Sequence, residues 1–212
     1  MARRRDILTS LSGAVALAGC GSVGRRETTP TDTERSLSYI ARVVSQASDS
    51  QPLTIEVGVQ NDSERVVSIA ATGRGKPFEE LNQFTGDGGE LVAVPPDNNR
   101  VSVDGLTQSP VDECWRLVGE DGERATIAAI STASAVSVAV DGRYAVRHHV
   151  YERTVDGPCF PPGEYESSLT VIAGGQQGEP AADLTYTLTV DESKQVGLTV
   201  DAAEPASLSS DR

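Results

Sequence analysis

The chain has 212 residues, of which 31 are Asp or Glu and 18 are Lys or Arg, so its formal net charge is −13. Such an acidic surface repels the phosphates of nucleic acids and of anionic lipids, and we therefore exclude nucleic-acid binding. Acidity of this degree keeps a protein soluble in concentrated salt, an explanation we prefer to the alternative of an acidic patch that attracts a cationic partner.

Residues 1–19 have the form of a secretory signal peptide. Three arginines, Arg3 to Arg5, precede an uncharged run at 7–18, which is the order of a positive and then an apolar signal segment. This run has 12 residues, whereas a membrane-spanning helix needs about 20. We therefore expect no transmembrane segment. Removal of residues 1–19, whose net charge is +2, would leave a chain of net charge −15.

The sequence Leu-Ala-Gly-Cys at 17–20 resembles the lipobox of bacterial and archaeal lipoproteins, in which the chain is cleaved before the cysteine and the thiol carries a lipid. Residues 4–8 resemble a twin-arginine export motif, although Ile7 stands where that motif favours an aromatic residue. The scarcity of lysine is similar to that of halophilic archaeal proteins. These resemblances imply a haloarchaeal surface lipoprotein on the extracellular face of the cell membrane, with Cys20 lipidated. The alternative is a cytosolic chain with a buried Cys20.

The segment that follows the signal, residues 20–36, predicts a lipidated cysteine and a disordered tether. It lacks apolar periodicity and is rich in Thr, Gly, Arg and Glu, so it cannot bury enough surface to fold by itself. We expect a folded domain at 37–201 and a disordered tail at 202–212.

The region 37–201 consists of short segments in which hydrophobic residues occupy every second position. This pattern and the enrichment in β-branched residues predict half-buried strands, most clearly at 53–60, 183–190 and 195–201. The other predicted strands lie at 38–45, 65–72, 90–95, 100–105, 114–119, 125–131, 135–140, 143–151 and 167–173. Strands at this spacing predict one all-β domain, an antiparallel two-sheet sandwich.

Turn residues support this interpretation. Five Asp-Gly pairs, which begin at Asp87, Asp104, Asp121, Asp141 and Asp156, supply the positive φ of tight turns. The pair at Asp141 predicts the clearest hairpin, between the segments on either side of it. One stretch, 77–84, is predicted to be a short helix that begins at Pro77.

Cys114 and Cys159 are predicted to form a disulfide. An exported protein meets an oxidising environment, and these two cysteines remain once Cys20 carries a lipid. The bond would close a loop of about 45 residues, for which the chain-entropy estimate is about 4 kcal/mol of stability. Free thiols or a metal-binding pair are the alternatives.

The segment 161–171 resembles the Pro-Gly-x-Tyr strand entry of immunoglobulin-like and fibronectin-like domains, in which the tyrosine hydroxyl bonds back to the corner. Together with Cys114-Trp115, 144–152 and 159–160, it is similar to the second half of immunoglobulin-like domains in archaeal surface lipoproteins and, more distantly, to a bacterial proteinase-inhibitor sandwich. The resemblance implies an Ig-like/fibronectin-like fold with Tyr165 at the corner. It carries no catalytic residue to this chain.

No pattern in the sequence indicates an enzyme, a cofactor or a metal centre. His148 and His149 are adjacent in a predicted strand, so they point to opposite faces and cannot bind one metal ion. The chain lacks Gly-x-Ser-x-Gly, a phosphate loop, a dinucleotide fingerprint and a regular calcium loop. Calcium held by scattered loop carboxylates is the alternative to an ion-free protein.

Two further features could mark a surface. Asn61-Asp62-Ser63 fits the N-glycosylation pattern where a predicted strand ends, so Asn61 is a candidate acceptor. The long segment 73–89 is a candidate contact loop with Lys76, Phe78 and Phe84, because loops of this length are often functional. The alternative is that both phenylalanines fill one end of the sandwich.

The hypothesis that follows is a lipoprotein attached to the membrane by its lipid, which acts as a non-catalytic protein-interaction module. Its partner would be another envelope protein, or a protease if the inhibitor resemblance is meaningful. The alternative is a single-domain lipoprotein that binds a glycan or a small solute, for which exposed aromatic side chains would be expected. The chain has only nine aromatic residues, and most of them are needed for the core.

Overall fold

The computed structural model describes residues 37–72, 75–79, 83–96, 101–103, 114–117, 127–129, 133–153 and 157–203. The predicted signal peptide, the predicted lipidation site Cys20 with the predicted tether, and most of the predicted tail lie outside these ranges. No helix within the described ranges is long and apolar enough to cross a membrane.

Twelve strands form the described part of the chain, and the all-β prediction is confirmed. They are β1 (Leu37–Ser45), β2 (Leu53–Asn61), β3 (Val67–Ala71), β4 (Gln83–Gly86), β5 (Gly89–Val94), β6 (Val101–Val103), β7 (Ile127–Ala129), β8 (Val136–Val138), β9 (Arg143–Glu152), β10 (Gly163–Ala173), β11 (Glu179–Val190) and β12 (Val196–Ala203). The last strand reaches Ala203, two residues beyond the predicted end of the domain at 201.

Ten of these strands form one antiparallel sheet, whose path is β1-β2-β9-β5-β4-β10-β11-β12. One edge of β10 pairs with β11, and its other edge is divided between β4 and β3. Strand β8 pairs with β3, and β6 pairs with β7 in a separate small sheet. Of the ten strand pairings in the described part of the chain, five join consecutive strands. The other five, β2-β9, β5-β9, β4-β10, β3-β10 and β3-β8, join strands that are distant along the chain.

The core lies between the two halves of this curled sheet. Leu53, Ile55 and Val57 of β2 are fully buried and belong to the same cluster as Leu184 and Leu188 of β11. Full burial of one such aliphatic side chain contributes about 1.5–3 kcal/mol. The halves β1-β2-β9-β5 and β4-β10-β11-β12 lie on opposite sides of this core, which is consistent with the predicted sandwich, but they belong to one continuous sheet and not to two.

The two ends of the sheet path, β1 and β12, are joined by a side chain. The Nε2 of Gln46, just after β1, donates to the carbonyl oxygen of Val196 at 2.9 Å, and its Oε1 accepts from the Val196 N–H at 3.0 Å. One glutamine amide therefore forms the pair of hydrogen bonds that a neighbouring strand would otherwise supply. The sheet is nearly closed at this point.

The predicted disulfide is present. Cys114 and Cys159 are bonded, with their Cα atoms 5.4 Å apart. The bond holds the segment 114–117 against the end of β9, where the N–H of Leu117 donates to the carbonyl of Glu152 at 2.9 Å. The Nε1 of Trp115 donates to the carbonyl of Ser48 at 2.7 Å. In its described residues, 114–117, the strand predicted at 114–119 forms isolated bridges and no continuous strand, and one of them is a parallel bridge between Arg116 and Glu152.

The predicted tyrosine corner is confirmed. The hydroxyl of Tyr165, in β10, donates to the carbonyl oxygen of Pro161 at 2.7 Å. The ring is fully buried, and burial together with the charge of Glu152 raises the pKa of Tyr165 to about 12. This hydrogen bond fixes the entry of β10 into the sheet.

The hairpin predicted around Asp141 is wrong, although its turn is correct. Asp141 has φ +53°, and the N–H of Gly142 donates to the carbonyl of Ala139 at 2.9 Å. The strands on either side do not pair with each other, because β8 pairs with β3 and β9 lies between β2 and β5. The turn reverses the chain, but β9 pairs with β2 on one edge and with β5 on the other, which leaves no edge for β8.

The helix predicted at 77–84 is also wrong. In the described part of this stretch, residues 77–79 form a turn in which the N–H of Glu79 donates to the carbonyl of Lys76 at 3.2 Å. Gln83 already begins β4, which turns at Asp87-Gly88 into β5. The strand places Phe84 on the inner face of the sheet, where it is fully buried.

Candidate functional site

The candidate contact loop at 73–89 does not present its aromatic residues to solvent. Phe78 is 1% exposed and Phe84 is fully buried, and both belong to the main core. Phe78 packs against Tyr144, with ring centroids 6.4 Å apart. The prediction that they contact a partner is therefore wrong, and the alternative that they fill the sandwich is correct. Lys76 is 42% exposed, with its Nζ 3.6 Å from a carboxylate oxygen of Glu79.

Asn61 is a structural residue of the folded domain. Its side chain is fully buried, and its Nδ2 donates to the carbonyl oxygens of Arg65, Val138 and Ala139 at 2.8, 3.1 and 2.9 Å. Its Oδ1 accepts from the N–H and the hydroxyl of Ser63. A glycan on this nitrogen would remove these bonds and cannot fit in the buried position. The prediction that Asn61 is a glycosylation acceptor is therefore wrong for the folded domain.

The adjacent histidines of β9 lie on opposite faces of the sheet. His148 is opposite Ile55 and is fully buried, whereas His149 is opposite Thr54 and only partly buried. Burial lowers the pKa of His148 to about 4, and the backbone of Glu79 and Phe78 offsets this only in part. Within the described ranges, no group of three His, Cys, Asp or Glu side chains is placed to hold a metal ion.

A cluster of charged side chains lies on the outer face of β1, β2 and β9. The strand register places Arg42 of β1, Glu56 of β2 and Arg147 of β9 in one row across the three strands. Arg143 lies four residues before Arg147 on β9 and shares its face, because successive side chains of a strand alternate. We call Arg42, Arg143 and Arg147, together with Glu56, the arginine face.

All three arginines of this face contact the single carboxylate. Arg42 Nε and Nη2 lie 2.8 Å from Glu56 Oε1, and Arg147 Nε lies 3.4 Å from Oε2. Arg143 also forms an ion pair with Oε1. The carboxylate therefore holds the three strands together at their outer surface.

Small residues between Arg143 and Glu56 leave room for this contact. Arg143 is opposite Gln60, so its side chain passes over the pair formed by Gly58 and Ala145. A Cβ atom on Gly58 would lie 2.3 Å from the carbonyl oxygen of Tyr144 and 2.6 Å from the Ala145 Cα. A side chain at position 58 would force β2 and β9 apart, so glycine is required there.

The arginine face has an excess of positive charge. Glu56 is buried beneath the guanidinium groups, with 9% of its side chain exposed, while Arg42, Arg143 and Arg147 are 54%, 41% and 61% exposed. Burial raises the pKa of Glu56, but the hydrogen bonds and charges of the arginines outweigh this and hold it below its usual value. With Glu56 ionised, three positive charges surround one negative charge.

The arginine face was not predicted from the sequence. All four residues lie in strands that were predicted, and alternation within β9 places Arg143 and Arg147 on one face. Their convergence depends on β9 pairing with β2, whereas the sequence predicted that it pairs with β8. The available signal was a cluster of arginines on predicted outer faces in a chain that is otherwise strongly acidic.

None of the nine aromatic side chains is fully exposed. Tyr39 and Tyr144 are partly buried and the other seven are buried: Phe78, Phe84, Trp115, Tyr151, Phe160, Tyr165 and Tyr186. The described surface therefore offers no strip of aromatic rings on which a sugar could stack.

Comparisons with protein-family models, with curated proteins and with solved structures gave no match to this chain. Its function has to be inferred from its own residues, contacts and charges.

Proposed function

We propose that the protein is a lipid-anchored, non-catalytic binding module on the extracellular face of the cell membrane, exported by a twin-arginine signal and lipidated at Cys20. The observation that carries the proposal is the Cys114–Cys159 disulfide. It uses two of the three cysteines in the chain and leaves Cys20 as the remaining thiol. Structural disulfides persist in oxidising compartments, and Cys20 ends the segment that resembles a lipobox.

The lipid on Cys20 accounts for membrane attachment without a membrane-spanning helix. Each buried methylene of an acyl chain contributes about 0.8 kcal/mol, and a single chain binds a membrane only marginally. We therefore expect a lipid with two chains on Cys20.

We assign the binding role to the arginine face because Phe78 and Phe84 of the candidate contact loop are buried in the core. The side chains of Arg42, Arg143 and Arg147 are 54%, 41% and 61% exposed. A protein partner is favoured over a glycan because the aromatic side chains are buried or partly buried.

Lipidation is tested by expressing the full chain and a Cys20→Ser variant in a host that processes lipoproteins. We expect the wild-type protein to gain the mass of a lipid and to enter the detergent phase on phase separation, and the variant to do neither. A Cys114→Ser/Cys159→Ser variant serves as the matched control and should still be lipidated. An unmodified Cys20 in the wild-type protein would refute the lipid anchor.

The binding role is tested by affinity capture from detergent-solubilised envelope, with the lipidated chain as bait. Arg143→Gln/Arg147→Gln changes the arginine face, whereas Lys76→Gln/Lys194→Gln removes the same charge elsewhere and uses both lysines of the chain. We expect one stoichiometric protein that the arginine variant loses and the lysine variant retains. Absence of such a protein would refute the interaction role.

A further inference from the structure

We propose that the arginine face binds the carboxylate groups of an acidic polypeptide segment on a partner protein. The inference deepens the proposed function and rests on it, since it gives the chemistry of the partner that the binding module would recognise. Its structural basis is the convergence of Arg42, Arg143 and Arg147 on one buried carboxylate.

The arginine face has more hydrogen-bond donors than Glu56 can accept. Each guanidinium carries five N–H donors in a planar fork, and one carboxylate offers about four lone-pair positions. Glu56 is nearly covered by the three side chains, whereas each arginine is between 41% and 61% exposed. Glu56 cannot accept from all of these donors, so some of them remain for a second carboxylate, which arginine can bind in the same bidentate way.

The charge of the face exceeds what Glu56 requires. A single arginine neutralises one carboxylate, but this cluster holds three. Asp62, which accepts from Ser38 and Gln60 in the row of Arg143, adds a second negative charge, so the face keeps one positive charge in excess in a chain of net charge −13. Like charges at this distance repel, so an arrangement with only a structural role would favour fewer arginines. Glu56 instead holds the three guanidinium groups in fixed positions, and an acidic partner supplies the missing negative charge.

The dimensions of the face suit an extended segment. Neighbouring strands lie about 4.8 Å apart, so the backbones at Arg42 and Arg147 are separated by about 10 Å. Arg143 and Arg147 are four residues apart on one strand, which corresponds to about 13 Å. The three guanidinium groups all contact Glu56, so they form one patch that is smaller than these backbone spacings. Acidic side chains at alternate positions of an extended polypeptide recur about every 7 Å, so one or two of them could reach this patch at once.

Aliphatic side chains beside the arginines favour a polypeptide over an anionic glycan. Ile40 of β1 is opposite Gly58 on the outer face, and Val44, two residues beyond Arg42, is 40% exposed. A polypeptide can place apolar side chains on these two residues while its carboxylates meet the arginines. A polysaccharide acid has no comparable side chains.

The test measures binding of defined polymers to the lipidated chain in detergent. The probes are poly-L-glutamate and polygalacturonate, a polysaccharide with the same carboxylate group. We expect poly-L-glutamate to bind more tightly, with an affinity that falls as salt rises because the contacts are ionic. Equal or tighter binding of polygalacturonate, or no binding of poly-L-glutamate, would overturn the proposal.

Two variants of the arginine face and one control test whether poly-L-glutamate binds at this face. Arg143→Gln/Arg147→Gln should weaken poly-L-glutamate binding by about tenfold, equivalent to about 1.4 kcal/mol, and the control Lys76→Gln/Lys194→Gln should bind like the wild-type chain. Glu56→Gln should tighten binding by roughly threefold, because it removes the internal carboxylate that competes for the guanidinium groups. Equal binding of poly-L-glutamate by folded Arg143→Gln/Arg147→Gln and by the wild-type chain would show that the cluster is only structural.

The outcome separates this inference from the proposed function. A lipidated chain that captures an envelope protein equally well with and without Arg143 and Arg147 would leave the binding module in place and refute the arginine face. Binding of poly-L-glutamate through the arginines by a chain whose Cys20 is unmodified would support the arginine face and refute the lipid anchor.

Discussion

Two buried polar residues of β2, Glu56 and Asn61, show how one strand satisfies polar groups on both faces of the sheet. Glu56 points outward, and three arginines that lie above it balance its charge. Asn61 points inward, and its amide bonds to backbone carbonyls from the β2–β3 and β8–β9 turns. Buried polar groups are tolerated when such partners are present, so both residues contribute to the pairing of the strands around them.

Replacement of Asn61 distinguishes a structural residue from a glycosylation site. Asn61→Ala leaves three carbonyl oxygens without their donor, and we expect the free energy of unfolding to fall by about 3 kcal/mol. Ser63→Ala destroys the same glycosylation pattern but removes only the bonds of one hydroxyl, and should cost about 1 kcal/mol. Urea unfolding followed by circular dichroism measures both. Equal losses for the two variants, with a glycan on the wild-type mass, would contradict the structural role.

The buried His148 makes stability depend on pH. Its pKa is about 4 in the folded protein and about 6.5 in the unfolded chain. Between these values the unfolded chain binds a proton that the folded protein does not, so stability falls as the pH falls from about 6.5 to 4, by up to about 3 kcal/mol. In His148→Gln this contribution should be absent. The difference in unfolding free energy between the two proteins, measured from pH 8 down to pH 4, should therefore change by about 3 kcal/mol. A difference that stays constant over this range would contradict the lowered pKa of His148.

At the scale of elements, the fold depends on pairings that local turns do not determine. The Asp87-Gly88 pair joins β4 and β5 in a true hairpin, whereas the Asp141-Gly142 pair joins two strands with different partners. The same dipeptide serves both cases, because it only supplies the backbone conformation for a reversal. The burial of the strands that follow decides whether a hairpin forms.

The junction between β1 and β12 depends on one side chain, Gln46. Gln46→Ala removes both hydrogen bonds to Val196, and we expect a loss of about 1–2 kcal/mol and faster hydrogen exchange at the amides of β12. Gln60→Ala is the control. It removes an exposed glutamine of β2 whose side chain donates to Asp62, and it should leave hydrogen exchange in β12 unchanged. Exchange in β12 that is the same in both variants would show that the backbone, and not the glutamine, holds this junction.

For the whole molecule, the Cys114–Cys159 disulfide is the main covalent constraint. It holds the segment 114–117, whose Trp115 and Leu117 cover Val92 and Tyr151 on the outer face in a second, smaller cluster. A domain with few aromatic residues gains from this addition to its buried surface. We expect the sheet to retain its structure without the bond and this segment to detach first.

Removal of the disulfide tests whether the segment 114–117 detaches before the sheet unfolds. Cys114→Ser/Cys159→Ser should lose about 4 kcal/mol of stability in the chain-entropy estimate for a loop of this length. Trp115 is the only tryptophan of the chain and is 5% exposed, so its fluorescence should shift to the red as the segment is released. Circular dichroism of the sheet should change little at the same temperature. Loss of both signals in one transition would show that segment and sheet unfold together.

Sequence patterns alone predicted the all-β class, most of the strand positions, the Cys114–Cys159 pair and the Tyr165 corner. Each of these depends on local properties: alternation of apolar residues, the number of cysteines, or a short motif that closes on itself. The predictions for Cys20 and the signal peptide depend on sequence in the same way and remain predictions.

The tertiary structure decided which strands pair and which polar side chains meet, because alternation of apolar residues does not determine either. An alternating strand has two faces, and its pattern does not say which other strand lies beside it or which polar side chains meet across the gap. Phe78, Phe84 and Asn61 are buried because distant strands cover them, although their own sequence suggested exposed loops. Glu56 and its three arginines come together because β1, β2 and β9, up to about a hundred residues apart in the chain, pair in one register, and the free energy of that pairing comes from the whole core.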